Sequence, residues 1–107
     1  IRLTQDGVFI SIDNPRWAVF TDTNSMDPVI DTGMHAIEII PVKPEQINVG
    51  DIVSYEDERG IIVHRVVETG NDEKGWYARF KGDNNSFIDP EKVRWEQIRR
   101  VVVGVIY

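Results

Sequence analysis

The sequence predicts an all-β domain with one or two helical turns at most, and three observations carry that prediction. Apolar residues come in short bursts of alternating or β-branched character. Clusters of Asp, Asn, Gly and Pro separate the bursts. No stretch sustains the 3.6-residue periodicity of an amphipathic helix.

Taken in order, the bursts give strands at Val8 to Ile12, Trp17 to Thr21, Ala36 to Val42, Asp51 to Tyr55, Ile61 to Val67, Trp76 to Phe80 and Val101 to Tyr107. Turns are expected at Asp13-Asn14-Pro15, Asp31-Thr32-Gly33, Asp57-Glu58-Arg59-Gly60, Thr69 to Gly75 and Gly82-Asp83-Asn84-Asn85. Pro41 and Pro44 cannot donate to a central ladder, so that segment is read as an edge or an exit from a sheet. Asp89-Pro90-Glu91 combines a capping residue with a proline at a first helical position, and predicts a short helix over Val93 to Arg99.

With 107 residues the chain fits one domain over residues 1–107, and 41% hydrophobic with 28% charged residues is the balance of an ordinary globular protein. Twelve basic against eighteen acidic residues give a net charge of −6, which repels a phosphate backbone, so nucleic acid is excluded as a partner. The absence of cysteine removes disulfides, thiolate metal sites and cysteine nucleophiles. No segment approaches the ~18 apolar residues that span a bilayer. The chain starts at Ile1 without a methionine or a basic-then-apolar leader, and is expected to be a soluble piece of something longer, from which a membrane anchor has been removed.

Without cysteine, a nucleophile has to be a serine or threonine activated by a base, and the imidazoles are His35 and His64. Three segments stand out. In Thr23-Asn24-Ser25-Met26-Asp27-Pro28 a serine lies between a strand and a proline-fixed turn, where its hydroxyl can sit at a loop edge near free backbone N–H groups; a plain turn is the alternative. In Ile61 to Val67, alternation places His64 on a face with Ile62 and Val66, and Arg65 on the other with Val63 and Val67. If the first face is inward, His64 is desolvated and pinned, as suits either a general base or a satisfied core histidine. His35 reads as a surface residue. In Lys81 to Pro90, Asp83 and Asp89 can deliver one carboxylate to a histidine on a neighbouring strand, or form an Asx-rich turn. Calcium is rejected there, because Ile88 stands where an EF-hand needs glycine and no glutamate falls at its twelfth position. Asn84-Asn85-Ser86 is also a formal glycosylation sequon.

Together and in this order, the segments resemble type I signal peptidases, and the histidine after Val63 is similar to the archaeal and endoplasmic-reticulum branch. NSMDP resembles the serine box, DTG with its following strand the next element, VGDIVSY and IIVHRVVE the base-bearing hairpin, FKGDNNSFID the acidic box and VRWEQIRRVVVGVIY the closing segment, so coverage runs from about Trp17 to Tyr107. The resemblance implies a mainly antiparallel fold of coiled sheets or a small barrel. It also implies Ser25 as nucleophile, His64 as general base, Asp89 as the orienting carboxylate and Asp83 as a second functionally important acid, with the two aspartates' roles open to exchange. The Ser25 N–H and the Thr23 hydroxyl would form the oxyanion site.

The same resemblance implies a serine endopeptidase, free of cofactors and metals, that cuts signal peptides from secreted or membrane preproteins after small residues. Its catalytic domain would act on the extracytoplasmic or lumenal side of a membrane, against the lipid surface and with complex subunits unidentified. Met26 and Trp17 are weighed as lipid-facing residues, with core packing favoured for both. Asn24 stands where glycine is usual before the serine, and Met34 where an aspartate is common; neither change removes a proton-transfer group. Two other readings compete: an inactive relative that binds peptides or scaffolds a secretion complex, and a self-cleaving regulator related to repressor autoproteases. Retention of Ser25, His64, Asp83 and Asp89 argues against the first; His64 in place of a lysine and the lack of a basic face argue against the second.

Overall fold

The computed structural model describes residues 2–4, 7–9, 16–19, 26 and 35–106. It is an antiparallel β protein. A small hairpin pairs β1 (Arg2–Thr4) with β2 (Gly7–Phe9), and a second, seven-stranded sheet holds the other described strands. That sheet consists of β3 (Arg16–Val19), β4 (His35–Ile39), β5 (Ile52–Asp57), β6 (Gly60–Asp72), β7 (Gly75–Lys81), β8 (Val93–Arg94) and β9 (Ile98–Ile106). Its order is β3-β4-β9-β5-β6-β7-β8, with the C-terminal strand inserted between β4 and β5. Among the described residues the sheet is open: β3 and β8 are its two edges.

Two hairpins use the same turn chemistry. In Asp57-Glu58-Arg59-Gly60 the Asp57 carboxylate accepts the Arg59 N–H at 2.8 Å, and Gly60 takes φ of 107°. In Asp72-Glu73-Lys74-Gly75 the Asp72 carboxylate accepts the Lys74 N–H at 2.9 Å, and Gly75 takes φ of 105°. Glycine is needed at both places because positive φ strains any residue with a Cβ. The second turn is shorter than the expected Thr69 to Gly75, since β6 continues to Asp72. Cross-strand pairing of Thr69 with Ala78 and Asn71 with Trp76 extends the ladder through residues whose composition alone suggested a loop.

The helix expected over Val93 to Arg99 is not formed. Val93 pairs with Ala78 and is buried, Trp95–Gln97 makes a single 3₁₀ turn, and β9 begins at Ile98. Burial of Val93 and Ile98 in the same core goes with a chain that passes from β8, at the sheet edge, to β9, with β5, β6 and β7 between them in the sheet. The Gln97 side chain closes the lone turn by accepting the Arg94 N–H at 2.8 Å. A second 3₁₀ turn, Pro44–Gln46, follows the double proline, so this segment does leave the sheet after β4 as expected.

Each face of the sheet carries its own apolar cluster. On one, Val53, Tyr55, Val66, Ala78, Phe80, Val93, Ile98 and Val101 pack together with Ile47, and the Tyr55 and Phe80 rings lie 4.6 Å apart. On the other, Met26 and Ile52 are covered by Val63, Val102 and Val105. Bulges keep these faces in register: an extra residue at Arg99 lets both Ile98 and Val101 reach the first cluster, and one at Val103 lets Val102 and Val105 reach the second.

Candidate active site

The two-residue connection Glu58-Arg59 fixes the β5–β6 register, with Asp57 opposite Gly60, Tyr55 opposite Ile62 and Val53 opposite His64. Tyr55, Val53 and His64 therefore share the face that holds the main core. His64 is 8% exposed, and neighbouring Val66 is fully buried. The inward orientation left open by alternation is thus realised. His35, by contrast, lies on β4, half-buried and paired across the strands with Val19 and Ile106.

After Lys81 the chain leaves β7 as a loop, turning where Asn85 N–H donates to the Gly82 carbonyl at 2.9 Å. It returns when Asp89 N–H donates to the Phe80 carbonyl at 2.7 Å. That bond carries the Asp89 side chain over the core face, where Oδ2 lies 2.6 Å from His64 Nδ1. The Tyr55 hydroxyl donates to the same oxygen at 2.7 Å. An ionised carboxylate accepts and cannot donate, so a neutral imidazole facing one carries its proton on Nδ1 and its lone pair on Nε2. Burial, reinforced by the bond to Asp89, pushes the Tyr55 hydroxyl well above its ordinary range, and it remains a proton donor at any physiological pH.

Asp83 does not meet the histidine ring. Its carboxylate receives a bidentate pair from Arg65, Nε to Oδ1 and Nη2 to Oδ2, both at 2.8 Å. Arg65 Nη1 also donates to the Gly50 carbonyl at 2.7 Å, tying the β4–β5 connection to the acidic loop. The Arg65 guanidinium holds the Asp83 carboxyl below the usual carboxylate range. The Asp83 N–H donates to Met26 Sδ at 3.3 Å, and Met26 is 4% exposed, so it packs inside the protein.

Ser25 and Thr23 lie outside the described residues, as do the Asp13 to Pro15 and Asp31 to Gly33 turns and the Trp17 side chain. Among the remaining candidates, His64 and Asp89 are brought together, and Asp83 is brought to Arg65. Tyr55 and Arg65 were not singled out by their residue types. The D-x-x-G turn held the missing signal, because a two-residue connection pairs positions whose numbers sum to 117 and so puts Tyr55 on the His64 face.

An open cleft of about 240 Å³ borders Tyr55 and Asp89 and is lined further by Arg59, Pro90, Lys92 and Gln97. No group of three or more potential metal ligands occurs among the described residues, and no described helix is long and apolar enough to cross a membrane. No protein-family model, curated protein or solved structure matches the chain.

Proposed function

We propose that this chain is the catalytic domain of a serine endopeptidase of the signal peptidase type, working through Ser25, His64 and Asp89. The observation that carries the reading is the 2.6 Å contact between His64 Nδ1 and Asp89 on a buried face. A histidine held this way presents a basic Nε2 and is stabilised when it becomes positive. In the proposed reaction, Ser25 Oγ attacks the carbonyl of the scissile peptide as its proton passes to His64 Nε2. The Ser25 N–H and the Thr23 hydroxyl stabilise the oxyanion, and the imidazolium then protonates the leaving amine. Water deacylates the serine ester by the same base.

Support for the serine comes from the order of the sequence boxes and from Met26, its neighbour in the chain, which is bonded to the N–H of Asp83 in the loop that also carries Asp89. The proposed substrates are signal peptides of secreted or membrane preproteins, cut after small residues at an extracytoplasmic or lumenal membrane surface. Cleavage of a preprotein in detergent by the purified domain tests the reading. Ser25→Ala is expected to abolish it while leaving the circular dichroism spectrum unchanged. Cleavage surviving in that variant overturns the assignment.

A further inference from the structure

We propose that Tyr55 is a positioning residue for the His64–Asp89 pair, its hydroxyl locking the carboxylate in place and weakening the carboxylate's hold on the charged ring. The argument starts from one atom. Asp89 Oδ2 takes the imidazole N–H at 2.6 Å and the phenol O–H at 2.7 Å. Two donors fill the two acceptor positions of that oxygen. The phenol is itself immobile: Tyr55 is 2% exposed, stacks at 4.6 Å and 40° on Phe80, and sits on a strand paired on both sides. Phe80 in turn accepts the Asp89 N–H. The carboxylate is thus held through its backbone and through its side chain, by residues of β7 and β5.

A hydrogen bond from a neutral donor also draws charge from the carboxylate. Less negative charge then faces the imidazolium, so the ring releases its proton more readily than it would beside a bare aspartate. The other charged groups near the ring are Asp83 and Arg65, which neutralise each other as an ion pair, and Lys81 beside Asp83. Arg59 and Asp57, likewise paired with each other, line the cleft beside Tyr55 and Asp89 together with Glu58, Glu91 and Lys92. Neither pair supplies a net charge to replace the lost hydrogen bond. Tyr55 is therefore expected to set two things together: the geometry of Asp89 and the pH at which His64 becomes a base.

The test is a proton NMR titration of the His64 ring, with His35→Gln used to assign its resonance. In Tyr55→Phe the His64 midpoint is expected to rise by about half a pH unit, since the lost bond favours the charged ring. Tyr55 replaced by 3-fluorotyrosine, a stronger donor of the same shape, is expected to move the midpoint down. In an Asp89→Asn background neither replacement is expected to move it. A midpoint unchanged by both replacements in the native background overturns the inference. Its catalytic half rests on the proposed peptidase function: kcat should fall about threefold to thirtyfold in Tyr55→Phe with KM unchanged, and the acid limb of the profile should follow the midpoint upward. A midpoint that moves in a domain with no peptidase activity keeps the Tyr55 coupling and overturns the peptidase reading.

Discussion

His64 and Arg65 are consecutive in the chain and face opposite sides of the sheet, yet each is engaged by an aspartate of the same loop, His64 by Asp89 and Arg65 by Asp83. The loop thereby straddles the end of β7, with one carboxylate over the main core and the other on the side of Met26. Two acids that are six residues apart and chemically alike consequently have different work. One touches the imidazole; the other clamps backbone segments together.

That division predicts unequal losses on substitution. Asp89→Ala is expected to lower kcat of the proposed peptidase by about 10³-fold to 10⁴-fold, because the imidazole loses both its tautomer and its counter-charge. Asp83→Ala acts through loop position and is expected to cost about tenfold to a hundredfold. Steady-state kinetics on a preprotein substrate checks both, and equal losses would contradict the division.

Stability should respond to acid through Asp83. The Arg65 hydrogen bonds depress the folded-state pKa of Asp83, so its contribution is complete above the unfolded value near ~3.9 and disappears as pH falls through the lower folded value. Asp83→Asn is therefore expected to melt on the order of 5 °C below the parent at pH 7, with the gap closing below about pH 4. Thermal melts across pH 2 to 7 read it directly.

The opposite sign holds at the alkaline end. Burial, and then the bond to Asp89, raise the folded-state pKa of Tyr55, so its contribution is complete below about pH 10 and is lost as pH climbs toward the folded value. Denaturant midpoints measured from pH 8 to 11.5 should fall more steeply in the parent than in Tyr55→Phe. Parallel curves would show that the hydroxyl is not buried against the carboxylate.

Phe80 joins the core to the site, with a fully buried ring and a carbonyl that receives the Asp89 N–H. Phe80→Ala is expected to destabilise the domain by about 3–5 kcal/mol, the usual cost of emptying such a position. Phe80→Leu should cost less and retain the His64–Asp89 contact. Urea unfolding measures the first effect, and the His64 resonance reports the second.

Much of this arrangement could be read from the sequence because its signals are local. The turn residues Asp57 to Gly60 announce the β5–β6 hairpin, and alternation along Ile61 to Val67 puts His64 and Arg65 on separate faces. What escaped prediction depends on distant partners. Nothing around Val93 reveals that it will pair with Ala78, so helix-start chemistry at Asp89-Pro90 outweighed a two-residue strand. The partner of Asp89 came only from the resemblance and that of Asp83 was hidden, since a loop of acidic and amide residues carries no mark of which side of a sheet each will reach.

One irregularity of β6 has a wider bearing. Val66 pairs with Phe80 and Glu68 with Arg79, so Val67 is an extra residue and β6 changes sides there. His64 and Glu68, four apart in a strand, would otherwise point the same way; instead Glu68 is exposed and accepts a hydrogen bond from the Tyr77 hydroxyl at 2.9 Å. Taking Val67 into the ladder opposite Arg79 would bring Glu68 inward against Ala78 while His64 stayed in place. The arm between the histidine and the Asp72 turn consequently depends on that one unpaired residue: while it stays out of the ladder Glu68 keeps to the solvent side, and a ladder that absorbed it would drive a carboxylate into the apolar interior.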